Sequence, residues 1–407
     1  MDNKKPRIAA LIVAAGTGER FGGGLPKQYL PLLGRPVLRW SIDAFLQSPE
    51  ISDICAVIHA DHAALYQQAA EGLPLLAPVI GGASRQDSVL KGLEALASRN
   101  PDYVLIHDAA RPGVTPELIA AVCAAVRTAD AVVPGLPVTD TIRRVSPAGT
   151  GTENREGLYT VQTPQAFPFG LILDLHRKHR TAAVTDDAAL CELAGHKVAI
   201  APGDKGNFKI THADDLGLME QAISSRCADV RTAKGYDVHR LVEPSASRRK
   251  LMIGGVEIPH DKVLDGHSDA DVALHALTDA LLGTICDGDI GMHFSPKDAR
   301  WKGADSSAFL KHAADLIARQ GGIVSHVDIT IICEAPRIGP HRDRMRARIG
   351  EILNLPPARV SVKATTTEGL GFTGRGEGIA AEALATVRLP FARAKAAAEE
   401  TIRKWGT

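Results

Sequence analysis

The chain has 407 residues, enough for roughly two or three domains. Its 47 Lys and Arg balance 47 Asp and Glu, so the formal charge is zero; a general nucleic-acid binder, which carries a basic excess, is excluded. With 45% hydrophobic and 23% charged residues, the composition is that of a globular protein and excludes a disordered or collagen-like chain. The six cysteines form no CxxC pair and read as small buried hydrophobes, not a disulfide framework. Only about nine apolar-leaning residues, Ile8 to Gly16, follow the basic start, and no cleavage site follows them. No run approaches the ~20 apolar residues of a membrane span. A reducing cytoplasm is expected, with no membrane or nucleic-acid partner.

Residues 8–14 (IAALIVA) predict a buried strand that ends in a glycine-rich loop. Apolar runs recur at 54–59, 103–107, 131–134 and 198–201, separated by helical patterns such as 84–98 and 115–128. That alternation predicts an α/β domain with a mostly parallel sheet covered on both faces. The polar stretch 137–159 reads as a hairpin arm. A break falls near 225–233, dividing the chain into domains at 1–228 and 229–407. Beyond it, a strand opens with GYDVH and a polar loop covers 243–250. Helices are expected over 269–283, 305–320 and 341–353, with strands over 326–333, 359–364 and 379–389. This second half reads as α+β, and 392–405 as a helical tail.

Three segments of the first half carry phosphate chemistry. Ala14-Ala15-Gly16-Thr17-Gly18-Glu19-Arg20 follows the first strand directly, and its glycines let backbone N–H groups approach an anion. Arg20 and Lys27 flank it, the charge that phosphoryl transfer needs on the transferred and departing groups. The loop is neither a Walker A motif nor a regular GxGxxG; alone it is equally a tight connection. Gly81–Ser88 is a second small-residue turn opening a helix. His107–Pro112 follows a strand at the end where open α/β sheets bind ligands.

In the second half, Asp237 and His239 lie at i, i+2 on one face of an extended segment. Asp271, His275 and Asp279 lie at i, i+4, i+8 on one helical face. Two imidazoles and a carboxylate with a position left open suit a catalytic zinc site. The Gly/Thr-rich stretch 363–378 offers hydroxyls, backbone amides and Arg375 to phosphates, and Glu368 to a divalent ion.

The motifs AAGxGxR, PKQYL, GGxSRxxSV, HDAARP, PVTDTI, TPQAF and NFKIT, in this order over about residues 7–222, resemble 2-C-methyl-D-erythritol 4-phosphate cytidylyltransferase. The resemblance implies a Rossmann-like nucleotidyltransferase fold with a projecting β-arm. It implies that Arg20 and Lys27 stabilise the α-phosphate and the departing diphosphate. Ala14, Ala15, Gly16, Gly82 and Ser88 would hold the cytidine nucleotide, with Arg85 supporting the pocket. Asp108 and Arg111 would face the polyol phosphate. Thr141 and Arg155, on the arm, would reach it across a dimer interface. Lys209 would hold the attacking phosphate, with Thr163 nearby. Ala83 stands where the family pattern often has Asp.

GYDVH, IGGVxIP, GHSDADVALHALTDALLG, GDIGxHF, KGADS and KATTTEGLGFTGRGEGIA, over about 232–390, resemble 2-C-methyl-D-erythritol 2,4-cyclodiphosphate synthase. This implies zinc on Asp237, His239 and His275, with His267 and Thr366 stabilising the transition state. Ser268, Asp289, Gly291 and Phe294 would line the methylerythritol side. Residues 333–339 would receive cytosine. Thr365, Thr367, Phe372 and Arg375 would surround the phosphates, with Glu368 on Mg2+ or Mn2+. The loop at 295–298 departs from the acidic loop of some relatives. Together the two resemblances imply a bifunctional enzyme of isoprenoid precursor synthesis that uses CTP and Mg2+ or Mn2+. They also imply a separate kinase for the intervening step and a homo-oligomer built from dimers and trimers, closing as a hexamer. The alternatives are a sugar-nucleotide pyrophosphorylase joined to an unrelated metal domain, or a half retained only as a scaffold.

Overall fold

The computed structural model describes residues 5–16, 24–147, 149–182, 184–245, 250–295, 301 and 303–390. Arg20, most of the 295–298 loop and the expected tail helix lie outside the described residues. The chain divides into two compact units, Met1–Ile223 and Ser224–Thr407, the boundary falling inside the helix Asp214–Arg226.

The first unit is organised by β1 (Ile8–Ala14), β2 (Ile51–Ile58), β3 (Val79–Ile80), β4 (Tyr103–Asp108) and β5 (Ala131–Pro137). The strands β6 (Ile142–Ser146) and β7 (Gly149–Glu153) form the arm. They are followed by β8 (Tyr159–Val161), β9 (Gln165–Pro168) and β10 (Val198–Pro202). Among the described residues the main sheet runs β8-β5-β9-β4-β1-β2-β3, with β10 beside β5. It is mixed but mostly parallel: β1 is parallel to β2 and β4, β3 to β2 and β10 to β5, while β9 enters antiparallel between β4 and β5. The hairpin arm is present as its own two-stranded sheet.

The period-2 rule divides β1 cleanly. Ile8, Ala10, Ile12 and Ala14 enter one apolar core, while Ala9 and Leu11 enter the other. Both faces are covered, so the strand needs no polar side, and its continuous apolar run follows. The helix α1 (Arg85–Leu96) starts where Ser84 accepts a hydrogen bond from Asp87 N at 3.0 Å. The helix Pro116–Ala125 starts similarly at Thr115, with Pro116 in its first turn. Each helix is shorter than its sequence pattern because the apolar period continues into a 3-10 turn that the pattern does not separate.

In the second unit, β11 (Asp229–Val242), β12 (Ile323–Ile332), β13 (Val360–Thr365) and β14 (Gly378–Leu389) make up most of a sheet. One face packs on α2 (Val272–Thr284), α3 (Ser307–Arg319) and α4 (Arg342–Leu353) around a single core. The helix α2, buried along most of its length, crosses β11 at Gly235, where a Cβ would stand 1.9 Å from the Ala276 carbonyl oxygen. Only glycine permits that approach, and the approach sets His275 against the strand.

Five of the six cysteines are buried and Cys286 is exposed, so it departs from the buried-hydrophobe reading; all six are free thiols. Burial pushes the Cys55 thiol up to about 11. No described helix is long and apolar enough to cross a membrane.

Candidate functional sites

The carboxyl ends of β1, β2 and β4 and the start of α1 enclose a cleft of about 410 Å3. Ala14, Ala15, Gly16, Lys27, Gly82, Arg85, Ser88, Asp108 and Lys209 all line it, so the structure gathers these sequence-selected residues from five separate segments. Gln28, buried, donates to the carbonyls of Ala14 and Gly16 at 2.8 Å each and fixes the loop where it leaves the strand. Lys27 donates to the Ile210 carbonyl at 3.0 Å. On the opposite wall, Gly82 N–H donates to Ser88 Oγ at 3.0 Å, and Ser88 in turn donates to the Ser84 carbonyl at 2.8 Å.

Asp108 is the electrostatic centre of the cleft. Its two oxygens meet Arg85 Nε at 3.2 Å and Lys209 Nζ at 2.8 Å. Burial opposes its ionisation, but the Arg85 and Lys209 charges hold the carboxyl well below the usual carboxylate range. Arg85 also reaches Asp187 at 2.9 Å, and Asp187 meets the buried His176 at 3.2 Å. Thr163 does not line the cleft. It lies behind it, where its Oγ1 accepts from Asp108 N at 3.1 Å and meets His107 Nδ1 at 3.0 Å. Arg111 also lies outside the lining and donates to the carbonyls of Asn207 and Val161. Thr141 and Arg155 stand on the arm side, where Arg155 donates to the Thr139 carbonyl.

The sequence reading gave no role to Gln28, Asp187 or His59, which also lines the cleft. Asp187 leaves no local signature because its importance comes from a partner about a hundred positions away. Gln28 stands inside PKQYL, and only the fold brings its amide to the two carbonyls.

In the second unit, Asp237 Oδ2, His239 Nε2 and His275 Nδ1 lie 3.0 to 3.1 Å from one another. Adjacent inward positions of β11 supply the first two, and α2 supplies the third. His239 Nδ1 is 2.7 Å from the Asp265 carbonyl oxygen, which can only accept. Nδ1 therefore carries the proton of the neutral ring and Nε2 offers a lone pair to the cluster. A carboxylate and imidazole lone pairs converging on one point form the donor set of a divalent cation.

Asp271 does not share this face. It is the N-cap of α2, fully buried, and accepts from Ala273 and Leu274 N at 3.1 Å and from Gly254 and Gly255 N at 2.8 and 2.6 Å. A heptad count cannot see where a helix begins, and this one begins three residues later than expected. Asp279 accepts from Ile290 N at 2.7 Å and anchors the turn that bears Asp289, Gly291 and Phe294. Asp289 caps that turn, and Phe294 stacks on Phe309 with ring centroids 4.4 Å apart. Ser268 is buried at 3.0 Å from His275, and its neighbour His267 is exposed.

The Gly/Thr-rich stretch forms a turn after β13, where Thr365 is the last strand residue. Thr366 donates to Glu368 at 2.7 Å, Thr367 donates to the Leu370 carbonyl at 2.7 Å, and Arg375 pairs with Glu377 at 2.8 Å. Glu368 has φ +54°, and Phe372 is partly exposed in the short helix Gly371–Gly374. Glu368 is not part of the Asp–His–His cluster.

Two family models divide the chain at the same break. One, described as 2-C-methyl-D-erythritol 4-phosphate cytidylyltransferase, matches residues 8–225; the other, the YgbB family, matches 230–388. The bifunctional enzyme IspD/IspF of Rhodospirillum rubrum is 52% identical over 387 residues, covering 95% of this chain and all of its own. That of Paramagnetospirillum magneticum is 51% identical over 385 residues, covering 94% of this chain and 99% of its own. The solved structure of the bifunctional IspDF from Campylobacter jejuni covers 94% of this chain and 98% of its own, at 28% identity and a TM-score of 0.46. These matches define a two-activity enzyme of isoprenoid precursor synthesis, a cytidylyltransferase joined to a cyclodiphosphate synthase. The chain belongs to the bifunctional IspD/IspF family.

Proposed function

We propose that the cleft of the first unit transfers cytidylyl from CTP to 2-C-methyl-D-erythritol 4-phosphate. The second unit then cyclises 4-diphosphocytidyl-2-C-methyl-D-erythritol 2-phosphate to the 2,4-cyclodiphosphate and releases CMP. The observation that carries the first reading is the convergence of Lys27, Arg85, Asp108 and Lys209 on one glycine-walled cleft. An oxygen of the acceptor phosphate attacks the α-phosphorus in line, and the bond to the β-phosphate oxygen breaks as diphosphate departs. No protein nucleophile is needed; the cleft supplies position and charge. Lys27, with Arg20, balances charge on the α-phosphate and the leaving diphosphate. Lys209, oriented by Asp108, holds the acceptor phosphate. Ala14, Ala15, Gly16, Gly82 and Ser88 hold the nucleotide through backbone groups and one hydroxyl. Arg111, Thr141, Thr163 and Arg155 serve the acceptor side, and Mg2+ or Mn2+ bound to the triphosphate would add charge neutralisation.

In the second unit Asp237, His239 and His275 would hold Zn2+, which when bound supplies Lewis acidity to a substrate phosphate. The attacking group is the 2-phosphate, and the bond broken joins the β-phosphorus to the CMP oxygen. His267 and Thr366 stabilise the developing charge. Ser268, Asp289, Gly291 and Phe294 shape the polyol side, while Thr365, Thr367, Phe372 and Arg375 serve the phosphates. Glu368 would hold Mg2+ or Mn2+. A separate kinase supplies the 2-phosphate.

The functional boundary is placed at 228/229, because β11 begins there, directly after the helix Asp214–Arg226 is complete. We assign the protein to the cytoplasm and to a homo-oligomer. Self-association is supported by the sheet face of the second unit turned from its helices, where Val230, Tyr236, Val238 and Leu384 are exposed. Dimers through the arm and trimers through that face would close a hexamer; sedimentation showing a stable monomer overturns this.

Mass spectrometry of the full chain with Mg2+, CTP and methylerythritol 4-phosphate tests the first activity. Formation of the cytidine diphosphate conjugate and diphosphate is expected. Turnover only with another nucleotide and sugar phosphate refutes the substrate assignment.

A further inference from the structure

We infer that Ser306 and Asp269 are positioning residues for the candidate metal centre: they hold the His275 ring in the tautomer that can ligate. The inference rests on the metal reading of the Asp237, His239 and His275 cluster. His275 turns Nδ1 toward that cluster and Nε2 away from it. Nε2 is 2.8 Å from Ser306 Oγ and 3.0 Å from Ser268 Oγ. Ser306 is fully buried and comes from the first turn before α3, 31 positions from His275.

The direction of each hydrogen bond follows from counting protons. Ser306 has one hydroxyl proton, and its Oγ makes a short hydrogen bond to Asp269 Oδ1. A carboxylate accepts, so the serine proton points to Asp269. Ser306 then faces His275 with a lone pair that an Nε2–H satisfies, and Ser268, whose Oγ is 3.4 Å from Ser306 Oγ, can turn its own proton there rather than to the ring. The neutral ring is left with its lone pair on Nδ1, 3.0 Å from Asp237 Oδ2 and 3.1 Å from His239 Nε2. Asp269 is itself fixed: its Oδ2 accepts from Ser306 N at 3.2 Å, and its own N donates to the Ala304 carbonyl at 3.0 Å. His239 reaches the same state by a different route, a direct bond to the Asp265 carbonyl. The two imidazoles thus have separate supports. That of His275 is a carboxylate acting through a serine, the kind of partner whose loss costs ~10–100-fold in metal affinity.

The test is Zn2+ affinity of the full-length protein, measured by competition with a chelating dye. Ser306→Ala should bind Zn2+ ~10–100-fold more weakly than the parent, with an unchanged melting temperature for the metal-free protein. In 15N-edited spectra of the zinc-loaded parent, the His275 Nε2 proton should be protected from exchange, and Ser306→Ala should lose that protection. Binding within twofold of the parent overturns the inference, as does a drop in metal-free melting temperature with affinity unchanged. If Ser306→Ala does not fold, Asp269→Asn carries the same test. Its amide NH2 can turn on Ser306 and reverse the hydroxyl, so weaker zinc binding is expected and parental binding refutes the relay. A parent chain that binds no zinc, or a His275→Ala variant that binds it as tightly as the parent, breaks the metal reading instead.

Discussion

The two sites solve opposite electrostatic problems. In the first unit a buried carboxylate, Asp108, is surrounded by cations, Arg85 on one oxygen and Lys209 on the other. The cleft brings its own countercharge and is held together before any ligand arrives. In the second unit a carboxylate and two imidazoles converge with their ligating atoms about one hydrogen-bond length apart. That cluster has the donor set of a divalent-cation site. A site that carries its own cations suits binding of polyanions such as a nucleoside triphosphate. A site that lacks one suits a reaction in which an exchangeable metal ion contributes the charge.

The largest effect expected from this contrast is at His275. His275→Ala should abolish zinc retention and cyclisation while cytidylyl transfer stays at the parental rate. Metal analysis of the purified variant checks it, and full zinc occupancy would remove His275 from the ligand set. Lys27→Ala should show the reverse selectivity: a loss of ~10²–10³-fold in cytidylyl transfer, the range for a charge-stabilising donor, with cyclisation spared. Near-parental transfer would refute the role.

Asp187→Ala sharpens the first half of the comparison. It removes one carboxylate from Arg85 and leaves a partly exposed guanidinium with a single anionic partner. Because Arg85 keeps Asp108 and is itself partly exposed, the loss is expected below the ~3–5 kcal/mol of a fully buried pair broken from one side. A lowered urea midpoint is expected for the first unit, together with a raised KM for CTP as Arg85 is released. A stability loss with KM unchanged would make Asp187 structural only.

These residues also mark what was legible in the sequence. The ends of β1 and β4 and the ligands of β11 were readable because each feature is local: an apolar run, a glycine-rich turn, an i, i+2 spacing. His275 was readable because a helical period projects it. Asp271 was misread because the same period was extended across a cap, and two of the four N–H groups it accepts from, those of Gly254 and Gly255, lie 17 and 16 positions away in sequence. The antiparallel entry of β9 was invisible for a related reason. Gln165–Pro168 is only four residues long and holds a Gln and a Pro, so no apolar run marks it as a strand, and its direction is fixed by the connection. Gln28, Asp187 and Ser306 act through partners 12 to 31 positions away or farther, so only folding reveals them.

The smallest effect concerns pH and the first unit. His107 is fully buried beneath Asp108, between Thr163 and the Arg111 carbonyl. Burial pushes its pKa down from 6.5 to about 4, despite the Asp108 charge that opposes the shift. In the unfolded chain the ring takes a proton near pH 6.5; in the fold it stays neutral until about 4. Acidification across that window therefore favours the unfolded state. The contribution is fully present above pH 6.5, falls as pH drops toward 4, and levels off below, a change of about 3 kcal/mol at most. Asp108, held ionised by Arg85 and Lys209, adds a loss in the same direction only below the usual carboxylate range. Chemical denaturation of the first unit between pH 7 and 4 should thus lose stability in a step that His107→Asn flattens. A step of equal size in the His107→Asn variant would show that the acid sensitivity belongs to other groups.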